Sequence, residues 1–103
     1  MQESDEVLLD LNNPVFQEDL FSLEKDDAIR ILATLRKIRR IQWMEVYKDE
    51  GLRWEMVQSK IGPGDRRLYT IRVTDGFRAL VCREGRYMRF LSLHPVHDSA
   101  YKR

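Results

Sequence analysis

Cysteine is almost missing from this 103-residue chain: Cys82 stands alone, which excludes an intramolecular disulfide and fits a reducing compartment. Three prolines and five glycines are too few for a collagenous or low-complexity protein, and the chain shows no repeat or linker. Apolar runs stay far short of the roughly 20 residues that a membrane span needs. The opening Met1-Gln2-Glu3-Ser4-Asp5-Glu6 is acidic and lacks the basic start and apolar centre of a secretory leader, so a cytoplasmic location is expected. Histidine occurs twice, as His94 and His97, with no cysteine or carboxylate cluster in register, so no zinc pattern is present. Gly62-Pro63-Gly64 reads as a loop rather than a phosphate cradle. No metal and no cofactor are expected. What is present is 43% hydrophobic and 34% charged residues, the profile of one soluble domain spanning 1–103 with a modest core.

The net charge of +1 conceals an uneven distribution. Residues 1–52 carry 7 Lys/Arg against 12 Asp/Glu, whereas residues 53–103 carry 11 against 5. Nine of those 11 are arginine, whose planar fork binds phosphate through two parallel hydrogen bonds. Two readings are open: a polyanionic partner, or a solvated strand surface of mixed charge.

Along the chain, Glu6 to Leu11 reads as a short strand stopped by Asn12-Asn13-Pro14. Asn13 is placed to cap a helix with Pro14 in its first turn, burying Phe16, Leu20, Phe21 and Leu23. A second helix begins near Lys25, with Ala28, Ile31, Leu32, Leu35 and Ile38 at spacings of three and four. Further turns over Ile41 to Lys48 would point Trp43, Met44 and Tyr47 inward, and Gly51 ends them. The period then changes to two. Arg53 to Gln58 alternates loosely, and Arg67 to Thr74 clearly, with Tyr69, Ile71 and Val73 on one face and Leu68, Thr70, Arg72 and Thr74 on the other. Asp75-Gly76 and Glu84-Gly85 are turn signals on either side of a strand over Phe77 to Arg83, and Arg86 to Leu93 is the last strand. The order predicts an α+β domain: an N-terminal strand and two or three helices on one face of a predominantly antiparallel sheet of about four strands.

The densest chemistry lies at the C-terminus, where His94, His97, Asp98 and Tyr101 fall within eight residues. Imidazole has the unperturbed pKa nearest neutrality and can take or give a proton there. His97 and Tyr101 are four apart, so one helical turn would stack them on one face. Arginines on the preceding strands would oppose the charge that a phosphodiester gains as it reacts.

Four segments together carry a family resemblance: Gly51-Leu52-Arg53-Trp54-Glu55, Leu68-Tyr69-Thr70-Ile71-Arg72-Val73, Gly76-Phe77-Arg78-Ala79-Leu80-Val81 and His97-Asp98-Ser99-Ala100-Tyr101. Set behind a strand and a helix pair with a basic outer face, they resemble the RelE/ParE superfamily of bacterial type II toxin–antitoxin systems, the RelE branch in particular. The resemblance implies a toxin that cuts messenger RNA on the ribosome by attack of a 2′-hydroxyl, without a metal, and a cognate antitoxin that covers its groove. In the family pattern, basic residues before the turn and an arginine after it hold the phosphate. Carried onto this chain, Thr70 and Arg72 precede the turn, Arg78 follows it, and His97 and Tyr101 take the C-terminal positions. Thr70 stands where lysine is frequent, which removes a cation. The alternative is a non-catalytic relative: a ParE-like inhibitor of DNA gyrase, or a module that binds RNA or antitoxin without cutting.

Each residue has a plainer reading beside the functional one. Arg72 and Arg78 either clamp a phosphate or form ion pairs with Asp75, Glu55 or Asp98. His97 is assigned as base because a free phenol, with a pKa of about 10, would need its pKa lowered to share that work, and Tyr101 assists; the plainer reading is that Asp98 and His97 tie down the C-terminal tail while Tyr101 packs as a lid. His94, extended before Pro95, is given a structural role. Glu55 orients His97 or acts as base, or pairs with an arginine. Trp54 and Tyr87 are candidates to stack on RNA bases, the plainer reading being that Trp54 belongs with Trp43, Tyr47, Tyr69 and Phe77 in the core. Arg67 and Thr70 join the RNA-binding set, and Arg36, Lys37 and Arg40 grip ribosomal RNA or line a solvated helix face.

Overall fold

A computed structural model describes residues 5–95, with the backbone alone at 59–61 and 63. Strand β1 (Leu8–Asp10) leads into helices α1 (Pro14–Phe21), α2 (Lys25–Arg39) and α3 (Trp43–Lys48). Strands β2 (Glu55–Ile61), β3 (Arg67–Arg72), β4 (Arg78–Glu84) and β5 (Tyr87–His94) follow, with a short 3₁₀ turn at Pro63–Asp65 between β2 and β3. One sheet of order β1-β5-β4-β3-β2 results, antiparallel except for the parallel pairing of β1 with β5. The strand count is five rather than about four because the N-terminal strand joins the same sheet.

Local chemistry explains the helix starts. The Asn13 carboxamide oxygen accepts from the Val15 and Phe16 amides at 2.7 and 3.4 Å, and Pro14 has no amide to leave unpaired. Asp26 and Asp27 open α2, and Arg36, Lys37 and Arg39 close it, each sign matching the helix dipole. Phe16, Ile31, Leu35, Ile38, Trp43 and Val46 pack from the helices onto Ile71, Ala79, Val81, Met88 and Phe90 of the sheet. The carbonyl of Arg86, in the β4–β5 turn, ties three elements together: it accepts from Leu8 of β1 and from the Trp43 indole of α3, both at 2.9 Å.

Four side chains expected inside are outside. Phe21 is 82% exposed, because the buried stripe of α1 passes through Phe16 and Leu20 and then Leu23 beyond the helix end. Leu32 lies on the flank of a stripe filled by Ile31, Thr34, Leu35 and Ile38. Met44 and Tyr47 point outward because the chain breaks at Arg40–Ile41 and restarts its helical phase at Trp43, so Trp43 and Val46 take the inward positions. Trp54 and Tyr69 are half-buried. Among the described residues no helix is long and apolar enough to cross a membrane.

Candidate functional site

The helices cover one face of the sheet. On the other, period-two alternation and strand register set a polar group beside a small apolar one. Leu68, Cys82 and Leu91, with Val57 and Leu80 against them, make the apolar part. Burial pushes the Cys82 thiol up, so it is packing material rather than a thiolate nucleophile.

The polar part is fixed by three strands in register. Arg72 of β3 faces Arg78 of β4, and Arg78 faces His94 of β5. One step along, Glu55 faces Thr70, Thr70 faces Leu80, and Leu80 faces Ser92. All alternate with Ile71, Ala79 and Leu93, which point into the main core. Two arginines directly opposed across a ladder repel unless an anion or carboxylate offsets them. Here the offset is slight. Arg72 donates to the carbonyls of Gly51 (3.4 Å) and Glu50 (3.3 Å) and to the Asp75 carboxylate (3.4 Å), all at the long end of hydrogen bonding. Asp75 is fully exposed, so that pair is screened and easily exchanged. Arg78 donates to the Thr74 carbonyl at 3.4 Å and, among the described residues, has no carboxylate partner.

His94 is exposed at the end of β5, its Nε2 2.7 Å from the Ser92 hydroxyl. The amide of Leu93, just before it, donates to the Asp19 carboxylate of α1 at 2.9 Å. That contact has a simple cause: β1 pairs only with residues 87–89 of β5, so further along the same edge the amide lacks a strand partner. Glu55 forms an ion pair with Arg53 at 3.0 Å, both about half exposed.

The remaining expected site residues do not join this group. Tyr87 is at the opposite end of β5, paired with Glu84, where it borders a cavity with Leu9, Asp10 and Asn12. Arg36 and Arg40 line a groove by Leu9, Leu11 and Leu35 in the helical layer, and Lys37 pairs with Asp49 at 2.9 Å. Burial raises the Asp49 pKa, but the Lys37 ammonium and the Leu52 and Gly51 amides outweigh that and hold it below the ordinary carboxylate value. Trp54 and Arg67 lie on the helix side of the sheet, with Tyr69. His97 and Tyr101 lie outside the described residues. Among the described residues no group of three or more metal-ligating side chains occurs.

The structure places His94, a residue given only a structural role from the sequence, in the row with Arg72 and Arg78. Pro95 alone points to an extended, structural residue. Counting back from the two hairpin turns would have set it opposite Arg78, and the alternation of β5 would have put it on the face of Ser92.

No family model matches the chain, and no curated protein matches it. Among solved structures, a chain of the archaeal RelE–RelB complex from Pyrococcus horikoshii OT3 is similar, with a TM-score of 0.57 and 20% identity over 90% of this chain and 96% of that one. The likeness establishes the architecture: this chain has a RelE-like fold.

Proposed function

We propose that this chain is a RelE-like toxin, an endoribonuclease that cuts messenger RNA on the ribosome and is held inactive by a cognate antitoxin. The observation that carries the reading is the row Arg72–Arg78–His94 on the helix-free face of a RelE-like sheet. An RNA phosphodiester placed on that row meets two guanidiniums with little other charge to satisfy. The nucleophile is the substrate's own 2′-hydroxyl. An imidazole takes its proton, and His97 has that role by resemblance. The bond from O2′ to phosphorus forms, the bond from phosphorus to O5′ breaks, and a second acid, Tyr101 or the neighbouring His94, returns a proton to O5′. The products are a cyclic 2′,3′-phosphate and a free 5′-hydroxyl. The arginines offset the charge that grows on the phosphoryl oxygens as attack proceeds.

An antitoxin accounts for surface the fold leaves open. Ile29 and Leu32 are one turn apart on α2, each 57% exposed, and Phe21 ends α1 in solvent. Exposed apolar side chains of this size favour a partner. The similar structure was itself solved as a RelE–RelB complex.

Primer extension on transcripts after induction tests the reading. Wild type is expected to give discrete new 5′ ends. Arg78→Ala should lower cleavage by about 10²–10³-fold, the usual cost of one donor to developing negative charge, with melting unchanged. His97→Ala should also lower it, and parallel His94→Ala and Tyr101→Phe variants identify the second acid. Full toxicity and cleavage in folded Arg78→Ala and His97→Ala would end the ribonuclease reading. A change in DNA supercoiling without RNA cleavage would establish the gyrase alternative.

A further inference from the structure

A second site lies on the helix side of the sheet, away from the arginine row. Here α3, Trp54 just before β2, β3 and β4 enclose an open groove of about 490 Å³. Its wall is aromatic. Trp54 stacks on Tyr69 with ring centres 4.4 Å apart and planes 21° from parallel. Tyr47 sets its edge against Trp54 at 5.5 Å and is itself 46% exposed. Beneath them Trp43 is fully buried and pinned through its indole N–H to the Arg86 carbonyl. The platform is therefore rigid at its base and open at its rim.

The groove is also cationic. Arg66 is neutralised by Glu84 at 3.2 Å. Arg67 and Arg83 are not: among the described residues neither has a carboxylate partner. Arg83 is held in place by its neighbours. Its guanidinium lies 4.1 Å over the Trp43 ring and donates to the Tyr47 hydroxyl at 2.6 Å and to the Gly85 carbonyl at 2.7 Å. These contacts use Nε and one terminal nitrogen, so the other terminal nitrogen is left for a ligand, with no rotamer entropy to lose on binding.

We propose that this groove binds an unpaired nucleotide of a single-stranded RNA, its base on the Tyr47–Trp54–Tyr69 platform and its phosphate on Arg83 and Arg67. Stacked rings beside two uncompensated guanidiniums match the repeat of a single strand, one flat base for each negative phosphate. An acidic peptide would have to order separate aromatic and carboxylate side chains to offer the same pair. The site needs no cleavage chemistry and stands or falls apart from the arginine row.

The test uses the purified full chain and a fluorescent 12-nucleotide 2′-O-methyl RNA, which lacks the attacking hydroxyl and so cannot be cut. Anisotropy at low salt should show binding, and the matching duplex should bind at least about tenfold more weakly because its bases are already stacked. Tyr47→Ala should weaken single-strand binding by about tenfold, and Tyr47→Phe, which keeps the ring but removes the hydroxyl that holds Arg83, should weaken it by less. Arg67→Ala should flatten the salt dependence by about 0.7 of a log unit per log unit of salt, one phosphate contact on a single strand. Lys25→Ala, at an exposed lysine that opens α2 outside both sites, should leave the affinity within about twofold. The proposal is overturned if Tyr47→Ala binds as wild type while folded, if Arg78→Ala removes the binding instead, if duplex and single strand bind equally, or if only a Glu/Tyr peptide of the same length binds.

Discussion

The contact between Asp19 and the Leu93 amide makes the sheet's open end depend on α1, and removing it gives a graded test. The amide is partly buried on an edge that β1 does not reach, and the carboxylate accepts from it at 2.9 Å. A hydrogen bond to a charged group contributes about 1.5–3 kcal/mol, and stranding the donor in the fold loses that contribution with little return from water. Partial solvent access moderates this, so Asp19→Ala should cost about 2 kcal/mol. For a domain of about 100 residues that is a fall of roughly 10 °C in Tm. Asp19→Asn keeps an acceptor oxygen in place and should lose about half as much. The assay is thermal unfolding by circular dichroism, repeated in urea to confirm an unchanged m value. Amide exchange at Leu93 and His94 should accelerate in Asp19→Ala beyond the global loss of stability. If Asp19→Ala melts within about 2 °C of wild type, the amide has found another acceptor and the reasoning about the uncovered edge is wrong.

Other outcomes follow from single contacts. Asn13→Ala removes the acceptor for two first-turn amides of α1 and should cost about 1 kcal/mol in urea unfolding, with Asn13→Ser close to wild type. Phe16 is fully buried, its ring 5.5 Å from Phe90, so Phe16→Ala should cost about 3–5 kcal/mol by the same measurement. The lowered Asp49 pKa gives an acid-side dependence: the ionised carboxylate stabilises the fold above its ordinary value of 3.8, and that contribution is lost as pH falls through the lower, folded-state value. Unfolding series from pH 6 to pH 2 should therefore show the gap between wild type and Asp49→Asn constant at the upper end and closing below pH 3.8. Gly85 begins the two-residue β4–β5 turn with φ of +63° and open space where a Cβ would stand, so Gly85→Ala should cost about 1 kcal/mol through backbone strain alone.

How much of this was readable in advance depends on the range of the interactions. Asn13 and Pro14 announce α1 because a cap involves only neighbours. The alternation through Leu68 to Val73 and the Asp75-Gly76 turn announce the β3–β4 hairpin, and hence the apposition of Arg72 and Arg78, because a short turn fixes register. Tyr47 is exposed where periodicity points it inward, because a break of three residues between α2 and α3 resets the helical phase and periodicity read across it carries the wrong face forward. The groove around Arg83 has only a partial sign in the sequence, the candidates Trp54 and Arg67, with nothing to join them to Arg83. Tyr47, Tyr69 and Arg83 come from α3, β3 and β4 and Trp54 from the residue before β2, and only tertiary packing brings them together. The imidazole and phenol of His97 and Tyr101 fall beyond the described residues, and their part in the chemistry rests on the resemblance.

The parallel pairing of Leu8–Asp10 with residues 87–89 sets an order of events during synthesis. Strand β1 has to wait for β5, because its hydrogen-bonding partner and the Arg86 carbonyl that receives Leu8 are made about 80 residues later. Such a closure between distant ends is slow to form and exposes apolar surface in the interval. A nascent chain halted before β5 therefore holds its helices and an unfinished sheet, without the His94 end of the arginine row. Only once β5 has been made can Leu8–Asp10 find its partner and the row from Arg72 through Arg78 reach His94.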